Sequence, residues 1–213
     1  LELFHGFSDG ELRKIGRCLS PRIRRFGRKE TVLKKYDFPL RAGVVLTGRV
    51  FLESYDELGN RSILAVVRPQ EIFGLEGICG QRRTISGAYV AGVETTAALP
   101  DFCGISGGCE KSCPLREELL QRILNGYSAA IARQQVKLEC VSQRTTQQKI
   151  MSFLLHCASE AGTTAFDLDL TRQELADFLC VNRSALIETL QNMKSKGTLS
   201  FAGRHFELYR PCL

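Results

Sequence analysis

The chain has 213 residues, 44% of them hydrophobic and 24% charged, a globular balance that excludes a disordered chain. Lys and Arg number 29 against 23 Asp and Glu, so the net charge of +6 allows a nucleic-acid partner without demonstrating one. No apolar run approaches the roughly 18–20 residues that span a bilayer, and no secretory pattern opens the sequence. A cytoplasmic protein with no membrane partner is the expectation, and the 9 cysteines then read as reduced thiols, a metal site or both. Only 3 histidines are present and the Gly-rich and Ser-centred motifs of common enzymes are absent, so an enzyme is not expected. A thiol enzyme needs a base beside its cysteine, and the adjacent pair His156-Cys157 reads as part of a helix.

Residues 1–19 read as a helix, with Leu12, Ile15 and Leu19 on one face, Ser8 as cap and Glu11 as its capping-box partner. Residues 22–100 read as short strands separated by turn clusters such as Thr47-Gly48-Arg49 and Asp56-Glu57-Leu58-Gly59-Asn60, the pattern of an antiparallel barrel or sandwich. Ten cations lie between Arg13 and Lys35. They suit a solvated face, or a supplementary surface for DNA, an anionic ligand or RNA polymerase.

Residues 115–142 form a long helix. Leu120, Leu124, Tyr127, Ile131, Gln134, Leu138 and Val141 repeat at alternating four- and three-residue steps, a heptad seam for a second copy of the chain. The same stripe also suits a helix packed on its own barrel, and Gln134 is a polar position of the kind that fixes register.

From Thr171 to Gly197 the sequence reads TRQELADFLCVNRSALIETLQNMKSKG. Thr171 and Glu174 make a capping box, Leu175, Ala176 and Leu179 face inward, and Cys180-Val181-Asn182 forms a tight turn with Val181 between the helices. A second helix follows from about Arg183 to Lys196, then a short hairpin around Ala202-Gly203-Arg204. Asp167-Leu168-Asp169-Leu170 alternates like a strand ahead of the first helix. Together these describe a winged helix-turn-helix, whose second helix presents its N-terminal residues to a major groove. Arg183 suits guanine O6 and N7, Ser184 a base edge or a phosphate, and Glu188 either cytosine N4 or the orientation of Arg183. Ile187 and Gln191 share that outward face, Thr171, Arg172 and Asn182 sit where phosphate contacts fix register, and Lys194 adds attraction without sequence preference. Residues 143–213 hold 8 basic and 7 acidic side chains, a net of only +1. That low charge keeps a rival open, a ligand-binding module whose degenerate winged domain holds protein partners instead of reading DNA.

Over nearly its whole length the chain resembles the Crp/Fnr family of bacterial transcription regulators. The opening LELFHGFSDGELRKI resembles that family's first helix, and AGVVLTGRVFLESYDELGNRSILAVVRPQEIFG its β-roll. The heptad stripe resembles its dimerisation helix, and RTTQQKIMSFLLHCA with the stretch from Leu170 to Gly197 its DNA-binding domain. The NRSAL string is similar to regulators of anaerobic Gram-positive bacteria. The resemblance implies an α+β chain: an effector-sensing β-roll over 1–114, a dimerisation helix over 115–142 and a winged helix-turn-helix over 143–213. It also implies a homodimer on a palindromic operator in double-stranded DNA, switched by a small-molecule effector about a hinge at 141–145.

The departures shape the expectation. Cyclic-nucleotide binders of the family carry Glu directly after the Phe73-Gly74 corner, where this chain has Leu75 and places Glu76 one residue on. Their phosphate-neutralising Arg-Ser/Thr pair aligns with Ile85-Ser86, and Arg83-Thr84 lie out of register. A buried phosphate without its cation costs several kcal/mol, which argues against cyclic AMP. The effector-pocket candidates are Phe73, Gly74, Leu75, Glu76, Arg83, Thr84 and Tyr127. In the recognition helix the family's Arg, Glu and Arg stand as Arg183, Ser184 and Glu188, so the target sequence differs. Finally, Cys103, Cys109 and Cys113 lie within eleven residues of a glycine-rich loop leading into the long helix. They are candidates for zinc, an iron–sulfur cluster or a redox disulfide, with Cys79, Cys18 or a non-protein group as fourth ligand. Cys140, Cys157 and Cys180 are expected in cores or helix interfaces.

Overall fold

The computed structural model describes residues 6–35, 42–76, 85, 87–101 and 114–209. The chain is α+β and divides into two compact units, Leu1–Ala130 and Ile131–Leu213, with the boundary inside the long helix.

In the first unit, helix α1 (Asp9–Leu19) starts on the expected box: Ser8 accepts from the Glu11 amide and Glu11 reaches back to the Ser8 amide. Eight strands follow: β1 (Arg22–Phe26), β2 (Thr31–Leu33), β3 (Gly43–Thr47), β4 (Val50–Tyr55), β5 (Arg61–Val67), β6 (Ile72–Phe73), β7 (Ala88–Ala91) and β8 (Thr95–Leu99). They form two antiparallel sheets, ordered β1-β8-β3-β6 and β2-β7-β4-β5. Phe26, Val45, Val50, Phe73, Tyr89 and Ala97 belong to one buried cluster between them. A second cluster joins Ile15 and Leu19 of α1 to Val44, Leu75, Leu119 and Ile123. Gly48, at φ +80°, makes the β3–β4 turn, and a Cβ there meets the Glu94 carbonyl. Gly74, at φ +79°, turns the chain after β6, with Leu33 Cδ1 2.7 Å from where a Cβ would stand.

Strand β1 carries little of the usual alternation, and β8 alternates in burial although its residues do not alternate in polarity. β1 reads RIRRF with only Phe26 buried, and β8 reads TTAAL with small side chains.

Helix α2 (Pro114–Ser142) is 29 residues long and contributes to both units. In the second unit, α3 (Thr146–Ala161) opens on the capping box of Thr145 and Gln148 and ends at Gly162, φ +66°. Then come β9 (Ala165–Asp167), α4 (Arg172–Leu179), α5 (Arg183–Ser195), β10 (Leu199–Ala202) and β11 (His205–Leu208). The sheet order β10-β11-β9 is antiparallel. The strand expected over 167–170 lies earlier, at Ala165–Asp167, because Phe166 pairs with Phe206 while Leu168 and Leu170 fill the core from irregular backbone. Among the described residues no helix is long and apolar enough to cross a membrane.

Candidate nucleic-acid interface

Thr171 caps α4, its side chain accepting from the Glu174 amide while Glu174 accepts from the Thr171 amide at 2.8 Å. Leu175, Ala176 and Leu179 are fully buried. The helix stops at Cys180, φ +53°, whose left-handed backbone lets the Val181 amide reach the Ala176 carbonyl at 3.0 Å. Asn182 then opens α5 with extended backbone and no side-chain cap bond. Its amide and the first N–H groups of α5 therefore stand at the positive end of the helix dipole with no cap of their own.

Leu186, Leu190 and Met193 anchor α5 in the core. Each such side chain contributes about 1.5–3 kcal/mol by leaving water. That anchoring fixes the rotation of the helix and exposes Asn182, Arg183, Ser184, Glu188 and Gln191, with Ile187 37% exposed among them. The expected outward face is thus brought together on one side of one helix.

Two of the cations expected to attract phosphate are engaged elsewhere. Arg172 donates from Nη2 to the Gly203 carbonyl at 2.7 Å and lies over Phe206 and Phe201 at 4.6 and 5.1 Å. Burial pulls its guanidinium below its ordinary value. Lys194 donates to the Phe201 carbonyl at 3.3 Å and stands over that ring. The Thr171 hydroxyl accepts in the cap, which leaves its own O–H to donate to a phosphate. The wing hairpin pairs Ala202 with His205, and His205 meets Asp167 at 2.9 Å.

Sequence reasoning missed Lys137. It sits off the heptad stripe, is 7% exposed, and donates to the Phe178 carbonyl at 2.9 Å near the end of α4. Its ammonium lies over the Phe178 ring, and burial lowers its affinity for a proton. Phe178 in turn packs on Phe153. A lysine in a helix otherwise rich in exposed charge gave no sign of this.

Along α2 the heptad side chains Leu120, Leu124, Tyr127, Ile131, Gln134 and Leu138 are exposed, Leu124 by 61% and Leu138 by 64%, and Val141 is half-buried. Leu119 and Ile123, one position away, are the ones buried against the first unit. The helix thus packs on its own domain by one face and presents the heptad stripe on another.

Of the effector candidates, Phe73 is buried with its ring over Gly43 and 5.1 Å from Tyr89. Leu75 packs in the helix-lined cluster, 4% exposed. Glu76 accepts a 2.7 Å hydrogen bond from the Tyr89 hydroxyl. Burial first, and the Glu76 charge second, push the Tyr89 phenol well above its ordinary value. Tyr127 is partly exposed, and Arg83 and Thr84 lie outside the described residues.

Cys103, Cys109, Cys113 and Cys79 also lie outside the described residues. Among the described residues no group of three His, Cys, Asp or Glu is placed to hold a metal ion. Cys140 is buried, 3.5 Å from the Ser152 hydroxyl, and burial pushes its thiol up. Cys157 is half-buried. Cys180 is exposed, contrary to expectation: it lies past the end of α4 in left-handed backbone, with its thiol 3.9 Å from the Asp177 carbonyl. His156 pairs with Glu160 at 3.3 Å.

Residues 148–211 match the Crp-like helix-turn-helix domain. The global nitrogen regulator of Synechocystis sp. is 24% identical over 208 residues, covering 93% of this chain and 90% of its own. The nitrogen fixation regulation protein FixK of Azorhizobium caulinodans is 27% identical over 173 residues, covering 78% and 66%. The solved structure of the c-di-GMP-responsive global regulator CLP of Xanthomonas campestris superposes with a TM-score of 0.76 at 17% identity, covering 96% of this chain and 100% of its own, and shares its fold.

Proposed function

We propose, from a chain that carries a Crp-like helix-turn-helix domain and is similar over most of its length to a global nitrogen regulator, a homodimeric regulator that reads a palindromic operator in double-stranded DNA. The observation that carries the reading is α5, locked in rotation by Leu186, Leu190 and Met193, with Arg183, Ser184, Glu188 and Gln191 exposed and its N-terminus uncapped. An Arg at the first turn of such a helix donates two bonds to guanine O6 and N7, while the uncapped N–H groups suit a phosphate. The exposed heptad stripe of α2 supports pairing with a second copy, because an a/d seam left in water by one chain is buried by two. Two-fold symmetry then sets the half-sites about 34 Å apart.

The regulating signal enters through the first unit, as a small molecule or through thiol or metal chemistry at Cys103, Cys109 and Cys113. Two features weigh against cyclic AMP: Leu75 is closed into the apolar cluster, and Glu76 is held by Tyr89.

Selection from a pool of random duplexes tests the reading. An enriched palindrome with half-sites about one turn apart is expected. The net charge of +1 over residues 143–213 favours the rival, a winged domain that holds protein partners, and that rival predicts no enrichment.

A further inference from the structure

The wing is tied to both helices of the reading motif. Arg172 is the first residue of α4 and Lys194 lies in the last turn of α5, yet both reach the same aromatic residue, Phe201 of β10. Arg172 adds the Phe206 ring and the Gly203 carbonyl. Gly203, at φ +59°, and Arg204 form the tip of the hairpin. Its two carbonyls are anchored separately, Gly203 by the Arg172 guanidinium at 2.7 Å and Arg204 by the Leu168 amide at 2.9 Å. Among the described residues the partners of Arg172 are two rings and a carbonyl, with no carboxylate. A planar guanidinium suits this place because it stacks on ring faces and donates in its own plane at the same time.

We propose that Arg172 is a positioning residue: it fastens the tip of the wing to the start of α4, so that wing and recognition helix meet DNA as one body. Its charge is spent on the wing, and it is not the phosphate ligand that its place at the start of α4 suggests. Lys194, holding Phe201 from α5, is the second fastening. The proposal deepens the DNA-reading role and rests on it only for the binding readout below, since the fastening itself belongs to the DNA-free protein.

The test uses the full chain with Arg172→Gln and Arg172→Lys. Hydrogen–deuterium exchange of the segment 199–208 is followed without DNA, and affinity for the selected duplex is then measured across salt concentrations. Arg172→Gln is expected to raise exchange of the wing several-fold while α4 and α5 keep theirs, and to weaken the operator about tenfold, the scale of one lost charge-assisted hydrogen bond. Arg172→Lys keeps a cation without the planar fork and is expected to recover part of both effects. Unchanged wing exchange in Arg172→Gln, with a salt slope smaller by about 0.9, identifies Arg172 as a phosphate ligand and overturns the proposal. Should Arg172→Gln not fold, Phe201→Leu removes the ring shared by both cations and must loosen the wing in the same way; a wing as protected as the parent's overturns the proposal equally. If no duplex is selected, the DNA-reading role fails while the exchange measurement still decides the fastening.

Discussion

Tyr89 keeps its proton because two causes act together: burial disfavours the phenolate, and the Glu76 carboxylate that accepts its hydrogen bond repels the charge. Below the ordinary tyrosine value of about 10 the folded and unfolded chains are both neutral at this phenol, so its contribution to stability is fully present. As pH rises above that value the unfolded chain ionises first, and the contribution is progressively lost. Tyr89→Phe should leave the native phenolate absorbance near pH 11 unchanged, while the unfolded chain loses one of its 5 phenols. A fall in the native signal would show Tyr89 titrating in the fold. The same variant leaves Glu76 without its donor and should lower stability by about 1–2 kcal/mol at neutral pH, read by denaturant unfolding. At this scale the sequence was legible where a residue acts on its neighbours in the chain, as in the boxes Ser8–Glu11 and Thr171–Glu174. It was not legible where a long side chain crosses the fold. Arg172 and Lys137 end on carbonyls 31 and 41 residues away, Lys194 crosses from a helix to the next strand, and a string of letters gives all three only as surface cations.

At the scale of elements, α2 and α4 make separate statements. The heptad stripe of α2 could be read from its period, and the adjoining buried pair Leu119 and Ile123 explains why the stripe also resembled a helix packed on a barrel. One helix carries both faces. Leu124→Glu places a charge in the exposed seam without touching the buried pair, so sedimentation should report a monomer whose far-ultraviolet spectrum is unchanged. A dimer of parental affinity would remove the seam from the account. Thr171→Ala deletes the α4 cap and should cost about 1 kcal/mol by thermal unfolding. No loss of stability there would mean the cap is not holding the turn that aims α5. Strand β1 lacks alternation for a physical reason: as an edge strand it pairs on one side only, so Arg22, Arg24 and Arg25 can occupy it.

For the whole molecule, the distribution of charge matters more than its total. The first 142 residues carry 21 cations against 16 anions, whereas residues 143–213 carry 8 against 7. Two of the latter cations, Arg172 and Lys194, are moreover turned to the wing. Affinity for arbitrary DNA should therefore be low, and recognition should rest on base contacts from α5 more than on counterion release. The regulating signal is a separate question, addressed by anaerobic purification followed by metal analysis and an absorption spectrum. Iron or zinc bound in proportion to protein, and lost in a Cys103→Ser variant, would assign the loop. A metal-free protein whose DNA affinity ignores oxidants would remove Cys103, Cys109 and Cys113 from the signalling account.

Reading of base edges by Arg183 on α5 is decided by fluorescence anisotropy on the selected duplex and on a scrambled one. Arg183→Ala should lose about 1–3 kcal/mol on the selected duplex, some ten- to a hundredfold in affinity, and change little on the scrambled one. Equal affinity of parent and variant for the selected duplex would contradict base reading by Arg183.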